Sequence, residues 1–309
     1  MTLASGEQHV LTLETPQGVI EAVIAQVGAS LRVFRIGSID LVEPYGEDQH
    51  KPLCAGAIMA PWVNRLDKGQ WTHRGRLLQN NITIFDQQNA NHGLLLDEAY
   101  ELLEKTSSSV KLGAIIYPRE GYPFLVRTTV TYSLVPTGIE VTHTAVNETP
   151  ERAPYATGAH PYFKFSAVDS GDLVVVSDAA TLTVVNERQI PVAEVATLNS
   201  KFDLRGGARV RDGVIDEDFT DLPRDANGNG HTHLRTEDGR GLDVWQDETF
   251  KHVVIFTPNY FPTIDGKNTF AAAIEPSTAA PNAFNSGRNL SWLEPGEEFV
   301  ARWGVNISL

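Results

Sequence analysis

The 309-residue sequence contains a single cysteine, Cys54, and no apolar run that approaches the roughly 18 residues needed to span a bilayer. One cysteine excludes an internal disulfide and suits a reducing compartment. The first residues, MTLASGE, lack the basic region and the following apolar stretch of a signal peptide. We therefore expect a cytoplasmic protein that has no membrane partner.

Positive charge is also scarce, because 25 Lys and Arg stand against 39 Asp and Glu, giving a formal net charge of −14. Binding to phosphate backbones or anionic lipids requires a basic face. This balance disfavours a nucleic-acid partner and favours a small-molecule ligand. It leaves the choice between a monomer and a homodimer open.

Common catalytic motifs are missing as well. The sequence has no phosphate-binding P-loop, no dinucleotide-binding glycine motif, no H-E-x-x-H zinc motif and no nucleophile elbow. Cys54 lies among apolar residues, where a thiol is more often packed than nucleophilic. We predict neither a metal nor another cofactor.

Hydrophobic residues recur mainly with a period of two. Residues 130–134 alternate, a Pro-Thr-Gly turn follows, and residues 139–146 continue the alternation, which predicts an antiparallel hairpin. Residues 234–236 and 242–245 flank an Asp-Gly turn and predict another hairpin, residues 253–256 predict a short, mostly buried strand, and residues 299–307 predict a last strand. Residues 94–104 contain helix formers, but they also fit a loop that enters a strand. Many short strands separated by turn residues predict one all-β domain over residues 1–309, a large antiparallel β-sandwich or barrel with little helix.

Four segments carry groups suited to chemistry. They read PWVNRLDKGQW from Pro61, NHG from Asn91, GAHPYF from Gly158 and AIEPSTAAPNAF from Ala273. Asn64 and Arg65 offer planar donors for sugar hydroxyls or a carboxylate. Histidine is the side chain best able to exchange a proton near neutral pH, and a buried carboxylate such as Glu275 gains a raised pKa. Taken singly, each of these residues also fits a structural role.

Together, and in this order, the four segments resemble the aldose 1-epimerase (mutarotase) family, with VIDEDF at Val214 and LEPGEEF at Leu293 as further matches. The resemblance covers about residues 56–303. It implies a galactose mutarotase-like supersandwich with a carbohydrate cleft on one sheet. It also implies conversion between the α and β anomers of a free aldose.

The resemblance further implies the roles of individual residues. Glu275 would be the general base that takes the proton of the anomeric hydroxyl, and His160 the general acid that protonates the ring oxygen. The implied substrate-binding residues are Arg65, Asn64, His92, Asp216 and Trp245. Asp216 is preferred to Asp218 because it precedes Phe219 by three positions, as in the family pattern.

Three alternatives remain open. A non-catalytic sugar-binding module would not require a matched acid and base, whereas a glycoside hydrolase or lyase of this type would require a second carboxylate, for which Asp216 is available. The third alternative is an epimerase that acts on a phosphorylated or acidic hexose. After NHG this chain has LLLD where relatives often have a basic or aromatic residue, and Lys267 stands before AIEP where an Arg is common. The sugar is therefore left open.

Overall fold

The computed structural model describes residues 3–309, and nearly all regular structure in this range is antiparallel β-strand. The strands in chain order are β1 (Gln8–Thr15), β2 (Gly18–Ala25), β3 (Ser30–Ile36), β4 (Ile39–Asp40), β5 (Ile58–Met59), β6 (Arg65–Asp67), β7 (Gln70–His73), β8 (Arg76–Gln79), β9 (Asn89–Asn91), β10 (Glu101–Lys105), β11 (Ser109–Ile116), β12 (Val126–Val135), β13 (Gly138–Asn147), β14 (Ala153–Tyr155), β15 (Gly158–Ala159), β16 (Tyr162–Phe163), β17 (Val174–Ser177), β18 (Thr181–Val185), β19 (Pro191–Ala196), β20 (Ala208–Arg209), β21 (Asp216–Thr220), β22 (Gly230–Arg235), β23 (Gly241–Gln246), β24 (His252–Phe256), β25 (Phe261–Pro262), β26 (Asn268–Thr269), β27 (Ala272–Ser277), β28 (Ser291–Leu293) and β29 (Glu298–Ser308).

Helix is confined to short segments in the described range. The α-helix α1 covers Ala283–Ser286, and 3-10 turns cover Pro52–Cys54, Ser170–Asp172, Leu204–Gly206 and Val210–Asp212. No described helix has the length and apolar character needed to cross a membrane. The all-β prediction with little helix is confirmed.

Two large sheets dominate the architecture. One has nine strands in the order β10-β11-β12-β13-β29-β23-β22-β17-β20. The other follows the order β19-β18-β21-β24-β27-β15-β5, with β16 also paired to β27. The hairpin predicted at residues 130–146 is β12 and β13, joined at Pro136 and Thr137. Residues 94–104 form a loop that enters β10, so the strand interpretation of that segment is confirmed.

One apolar core joins residues of both sheets, including Val130 and Val141 of the nine-stranded sheet and Val253 and Ile274 of the other. Because side chains alternate along a strand, the neighbours of these core residues point to the opposite face. On β27, Ile274 therefore enters the core while Glu275 lies on the outer face. The candidate site is built on that outer face.

A histidine in this interior is held in its neutral form. The indole Nε1–H of Trp303 donates to His143 Nε2 at 3.0 Å, so the ring proton is on Nδ1, which lies 2.8 Å from the Thr157 hydroxyl oxygen. Burial lowers the pKa of His143 to about 3. The folded state therefore resists protonation of His143, whose pKa in the unfolded chain is about 6.5.

We predict that His143→Gln reduces the loss of stability at acid pH. A depressed histidine pKa means that unfolding takes up a proton below about pH 6.5, so the contribution of His143 to stability is present at pH 7 and is lost as the pH falls towards 3. Glutamine does not titrate, so the drop in the free energy of unfolding between pH 7 and pH 5 should shrink by about 2 kcal/mol. Urea unfolding at pH 7 and at pH 5 measures this drop in the free energy of unfolding. A drop in His143→Gln equal to that of the wild type would contradict the prediction.

Candidate active site

The order of strands in the eight-stranded sheet brings the sequence motifs together. Asp216 begins β21, Glu275 lies in β27, and His160 directly follows β15. The strand β5 at the end of the sheet leads into the loop that carries Asn64, and Arg65 begins the next strand, β6. Segments that are far apart in sequence therefore meet on one face because their strands are neighbours.

His160 and Glu275 form the centre of the site. His160 Nε2 lies 3.3 Å from Glu275 Oε1, and the two side chains are 7% and 2% exposed. Among the described residues, neither His160 Nδ1 nor Glu275 Oε2 has a hydrogen-bond partner. Buried polar atoms are rarely left unpaired in folded proteins, so these two atoms mark a place where a polar ligand would compensate them.

Burial shifts both groups towards their neutral forms. It lowers the pKa of His160 to about 4, with a further contribution from the positive charge of Arg65. It also raises the pKa of Glu275 well above its usual value, and the nearby Asp216 carboxylate adds to that shift. Both pKa shifts favour a neutral imidazole and a carboxylic acid, because two separate charges in this interior would cost folding free energy.

Asn64 and His92 are bonded to each other at the edge of the site. The His92 backbone N–H donates to Asn64 O at 3.0 Å, and the Asn64 backbone N–H donates to His92 Nδ1 at 3.2 Å. The second bond leaves the ring proton on Nε2, and burial together with His160 lowers the pKa of His92 well below its usual value. Gly93 follows with a φ of 82°, where a Cβ atom would lie 2.0 Å from Ala60 O. The glycine of the NHG motif is therefore required by this close backbone approach.

Arg65 is held by three side chains. Its Nε donates to Gln87 Oε1 at 2.7 Å, its Nη1 to Asn64 Oδ1 at 3.2 Å and its Nη2 to Asp216 Oδ2 at 3.3 Å. Nothing in the sequence marks Gln87, because it lies in a loop outside every motif. The guanidinium and the Asp216 carboxylate remain partly exposed, at 14% and 34%.

Asp218 has a different environment from Asp216. It accepts hydrogen bonds from the Thr183 hydroxyl at 2.6 Å and from His252 Nδ1 at 3.0 Å, and it is 3% exposed. Burial alone lowers the pKa of His252, but the Asp218 charge outweighs it and raises that pKa. Asp218 is therefore engaged in a buried pair, while Asp216 faces Arg65.

Trp245 is not brought to this cluster. It lies on β23 in the nine-stranded sheet, opposite His231 and Gly304. An aromatic side chain that does share the face of the site is Phe256, the cross-strand partner of Asp216 and of Ala273. It is partly buried and lies near Tyr162 and Tyr260, with ring centroids 6.3 and 6.4 Å away. Only strand pairing reveals its position, since its sequence segment reads as a core strand.

The site also contains the nitrogen and oxygen donor atoms that bind metal ions in proteins. One ligand atom from each of His92, His160 and Glu275 lies within 4.8 Å of the others. Two imidazoles and a carboxylate are a known set of zinc ligands. The same three groups can also take and give protons without a metal.

Comparisons with known proteins agree with this architecture. The family model described as aldose 1-epimerase matches residues 9–305. The uncharacterized protein YihR of Escherichia coli K12 is 28% identical over 302 residues, which cover 96% of this chain and 89% of that protein.

Solved structures are similar in fold. A GalM/aldose epimerase homologue from C. elegans has a TM-score of 0.84 at 17% identity, covering 98% of this chain and 99% of that one. A galactose 1-epimerase from Lactobacillus acidophilus NCFM has a TM-score of 0.77 at 17% identity, covering 96% and 94%. The galactose mutarotase-like fold expected from the sequence is confirmed, and the chain belongs to the aldose 1-epimerase family.

Proposed function

We propose that the protein is an aldose 1-epimerase that interconverts the α and β anomers of a free aldose, with Glu275 as general base and His160 as general acid. The observation that carries this proposal is the buried contact of 3.3 Å between the two side chains, each with an unpaired outer atom. Anomer exchange requires one proton to be taken and one to be given. A nucleophile and a redox centre are not required.

The proton balance of the pair suits ring opening. The reactive form arises when the Glu275 proton passes to His160 across their 3.3 Å contact, which leaves a Glu275 carboxylate and a His160 imidazolium. Glu275 takes the proton from the C1 hydroxyl oxygen, and His160 gives a proton to the ring oxygen as the bond between C1 and that oxygen breaks. The products are the open-chain aldehyde, a carboxylic acid and a neutral imidazole, which is the form that burial favours. Rotation about the C1–C2 bond and reversal of the transfers yield the other anomer.

The surrounding groups suit recognition of a sugar. Arg65 and Asn64 supply donor and acceptor atoms for hydroxyls, His92 supplies an Nε2–H donor, and Asp216 supplies a carboxylate. Phe256 offers the partly buried apolar surface on the same face. We propose it in place of Trp245 as the surface against which the ring packs.

The alternative functions fit this geometry less well. A binding module has no need for a buried carboxylic acid next to an imidazole, which costs stability. A hydrolase requires a second carboxylate as acid or nucleophile, whereas Asp216 is held by Arg65 in a manner suited to binding hydroxyls. An epimerase for a phosphorylated or acidic hexose would use the same acid and base, so the substrate panel decides that choice.

The proposal is tested by polarimetry or one-dimensional NMR of freshly dissolved α-D-glucose and α-D-galactose with and without protein. Faster approach to anomeric equilibrium than in buffer supports epimerase activity. A panel of hexose 6-phosphates and uronic acids run in parallel identifies a modified substrate. Acceleration of none of these sugars would overturn the proposed activity.

We predict that Glu275→Gln lowers kcat by a factor of about 10² to 10⁴, because an amide cannot take the proton of the anomeric hydroxyl. The measurement is the rate of anomer exchange over a range of sugar concentrations. Glu43→Gln provides a matched control, because Glu43 is equally buried but is bonded to Lys164 and Ser170. Turnover of Glu275→Gln at the wild-type rate would remove Glu275 from the mechanism.

We predict that Arg65→Ala raises KM by about tenfold or more, since a charged hydrogen bond contributes about 1.5–3 kcal/mol. The same assay gives kcat and KM separately. Arg127→Ala, which removes an exposed arginine paired with Glu148, should leave both unchanged. A loss confined to kcat would contradict a role in holding the bound sugar.

A further inference from the structure

The guanidinium of Arg65 has little freedom in this structure. Arginine carries five N–H donors. Three of them are directed to Gln87, Asn64 and Asp216, and these partners come from three separate parts of the chain. Two donors therefore remain for a ligand, and their directions depend on the three partners. The bond from Nε to Gln87 Oε1 is the shortest of the three, at 2.7 Å.

Gln87 lies in the segment between β8 and β9. The last residue of β9, Asn91, is the first residue of the NHG motif. Gln87 is not itself in a strand but lies in a turn that Ile84 and Asn89 close with two backbone hydrogen bonds, at 3.0 and 3.1 Å. Among the described residues its side-chain Nε2 makes no hydrogen bond, whereas Oε1 is used by Arg65. No described backbone N–H donates to its carbonyl oxygen, so a contact from elsewhere in the chain adds to the turn in fixing Gln87.

Arg188 supplies that contact from a turn about one hundred residues further along the chain. Its Nε donates to Gln87 O at 3.0 Å, and its Nη2 lies 3.2 Å from Gln88 O and 2.9 Å from Asn89 Oδ1. The same nitrogen lies 2.7 Å from Asp67 Oδ1, two residues after Arg65. Arg188 thus links the backbone of Gln87 and Gln88, and the Asn89 side chain, to the strand that begins at Arg65.

The turn that carries Arg188 is itself well ordered. Asn186 Oδ1 accepts the backbone N–H groups of Arg188 and Ile190. In return, Asn89 Nδ2 donates to the Arg188 carbonyl oxygen at 2.7 Å. Arg188 and Asn89 are therefore bonded in both directions, which is the arrangement expected of a fixed support.

We propose that Arg188 and Gln87 are positioning residues of the candidate site: Arg188, together with the turn, fixes the backbone of Gln87 and Gln88, and the Gln87 side chain fixes the orientation of the Arg65 guanidinium towards the sugar. The part of this inference that concerns sugar binding rests on the proposed function. The part that concerns the order of the Arg65 side chain is independent of the proposed function. The two parts are tested separately.

The order of Arg65 is measured by NMR without any substrate. The Arg65 Nε–H signal is assigned as the one lost in Arg65→Lys, and its exchange with water is measured. In Gln87→Ala and in Arg188→Ala the exchange should be at least several-fold faster than in the wild type, because the acceptor is lost or displaced. Gln87→Glu retains an acceptor and should restore slow exchange. Unchanged exchange in both alanine variants would overturn the proposal, whatever the substrate is.

The contribution to binding is measured with a sugar that the wild type converts. Gln87→Ala and Arg188→Ala should raise KM about three- to tenfold while kcat changes by less than about twofold, because ground-state positioning is lost. Arg188→Lys should not restore KM, since an ammonium cannot reproduce the planar fork. Unaltered KM in both alanine variants, or a loss in kcat alone, would overturn the positioning role.

Controls separate this outcome from general damage. Arg205→Ala removes a similarly exposed arginine that is paired only with Asp203 in its own turn, and it should change neither exchange nor KM. Thermal unfolding of every variant identifies one that fails to fold. If Arg188→Ala does so, Gln87→Ala, which alters a surface loop, decides the proposal. If the wild type converts no sugar, the proposed function fails while the NMR result still decides the order of Arg65.

Discussion

The structure around the cleft depends on the burial of one carboxyl group in the middle of a sheet. Glu275 is 2% exposed, and its Oε2 atom has no partner among the described residues. Such a placement costs stability unless the group is neutral or paired. The imidazole of His160 at 3.3 Å and the raised pKa of Glu275 are the consequences of this placement.

Charge near this pair is compensated in two different ways. Asp216 is paired with Arg65, and both side chains remain partly exposed. Asp218 is buried in a pair with His252 and also accepts a hydrogen bond from the Thr183 hydroxyl. The two carboxylates are two residues apart on one strand, so both lie on the same face of the sheet as Glu275. They differ in exposure and in partner, and not in the face of the sheet that carries them.

The two faces of the eight-stranded sheet have different roles, because side chains alternate between the faces along each strand. Period-two alternation sends Ile274 and Val253 into the core shared with the nine-stranded sheet. It leaves Glu275, Asp216 and Phe256 on the outer face, where the loop after β5, the start of β6 and the residues after β9 complete the site. These segments supply the asparagine, the arginine and the histidine.

The strands with strong alternation and the set of chemical groups can be predicted from the amino-acid sequence alone. The hairpin of β12 and β13 follows from local periodicity, and the motif residues Arg65, His92, His160 and Glu275 follow from their order and types. These features depend on neighbours within a few residues, so they can be predicted without the fold. The choice of Asp216 rested on the family pattern and remains a proposal about its role.

Which of these groups meet, and which contacts hold them, depends on the fold of the whole chain. The sequence alone does not favour Phe256 over Trp245 as the aromatic residue of the site. Sheet order places Trp245 on the nine-stranded sheet and Phe256 beside Asp216. Gln87 and Arg188 carry no motif, because their contacts join loops about one hundred residues apart. Strand pairing and loop contacts over such separations depend on the packing of the whole chain, and no local pattern encodes them.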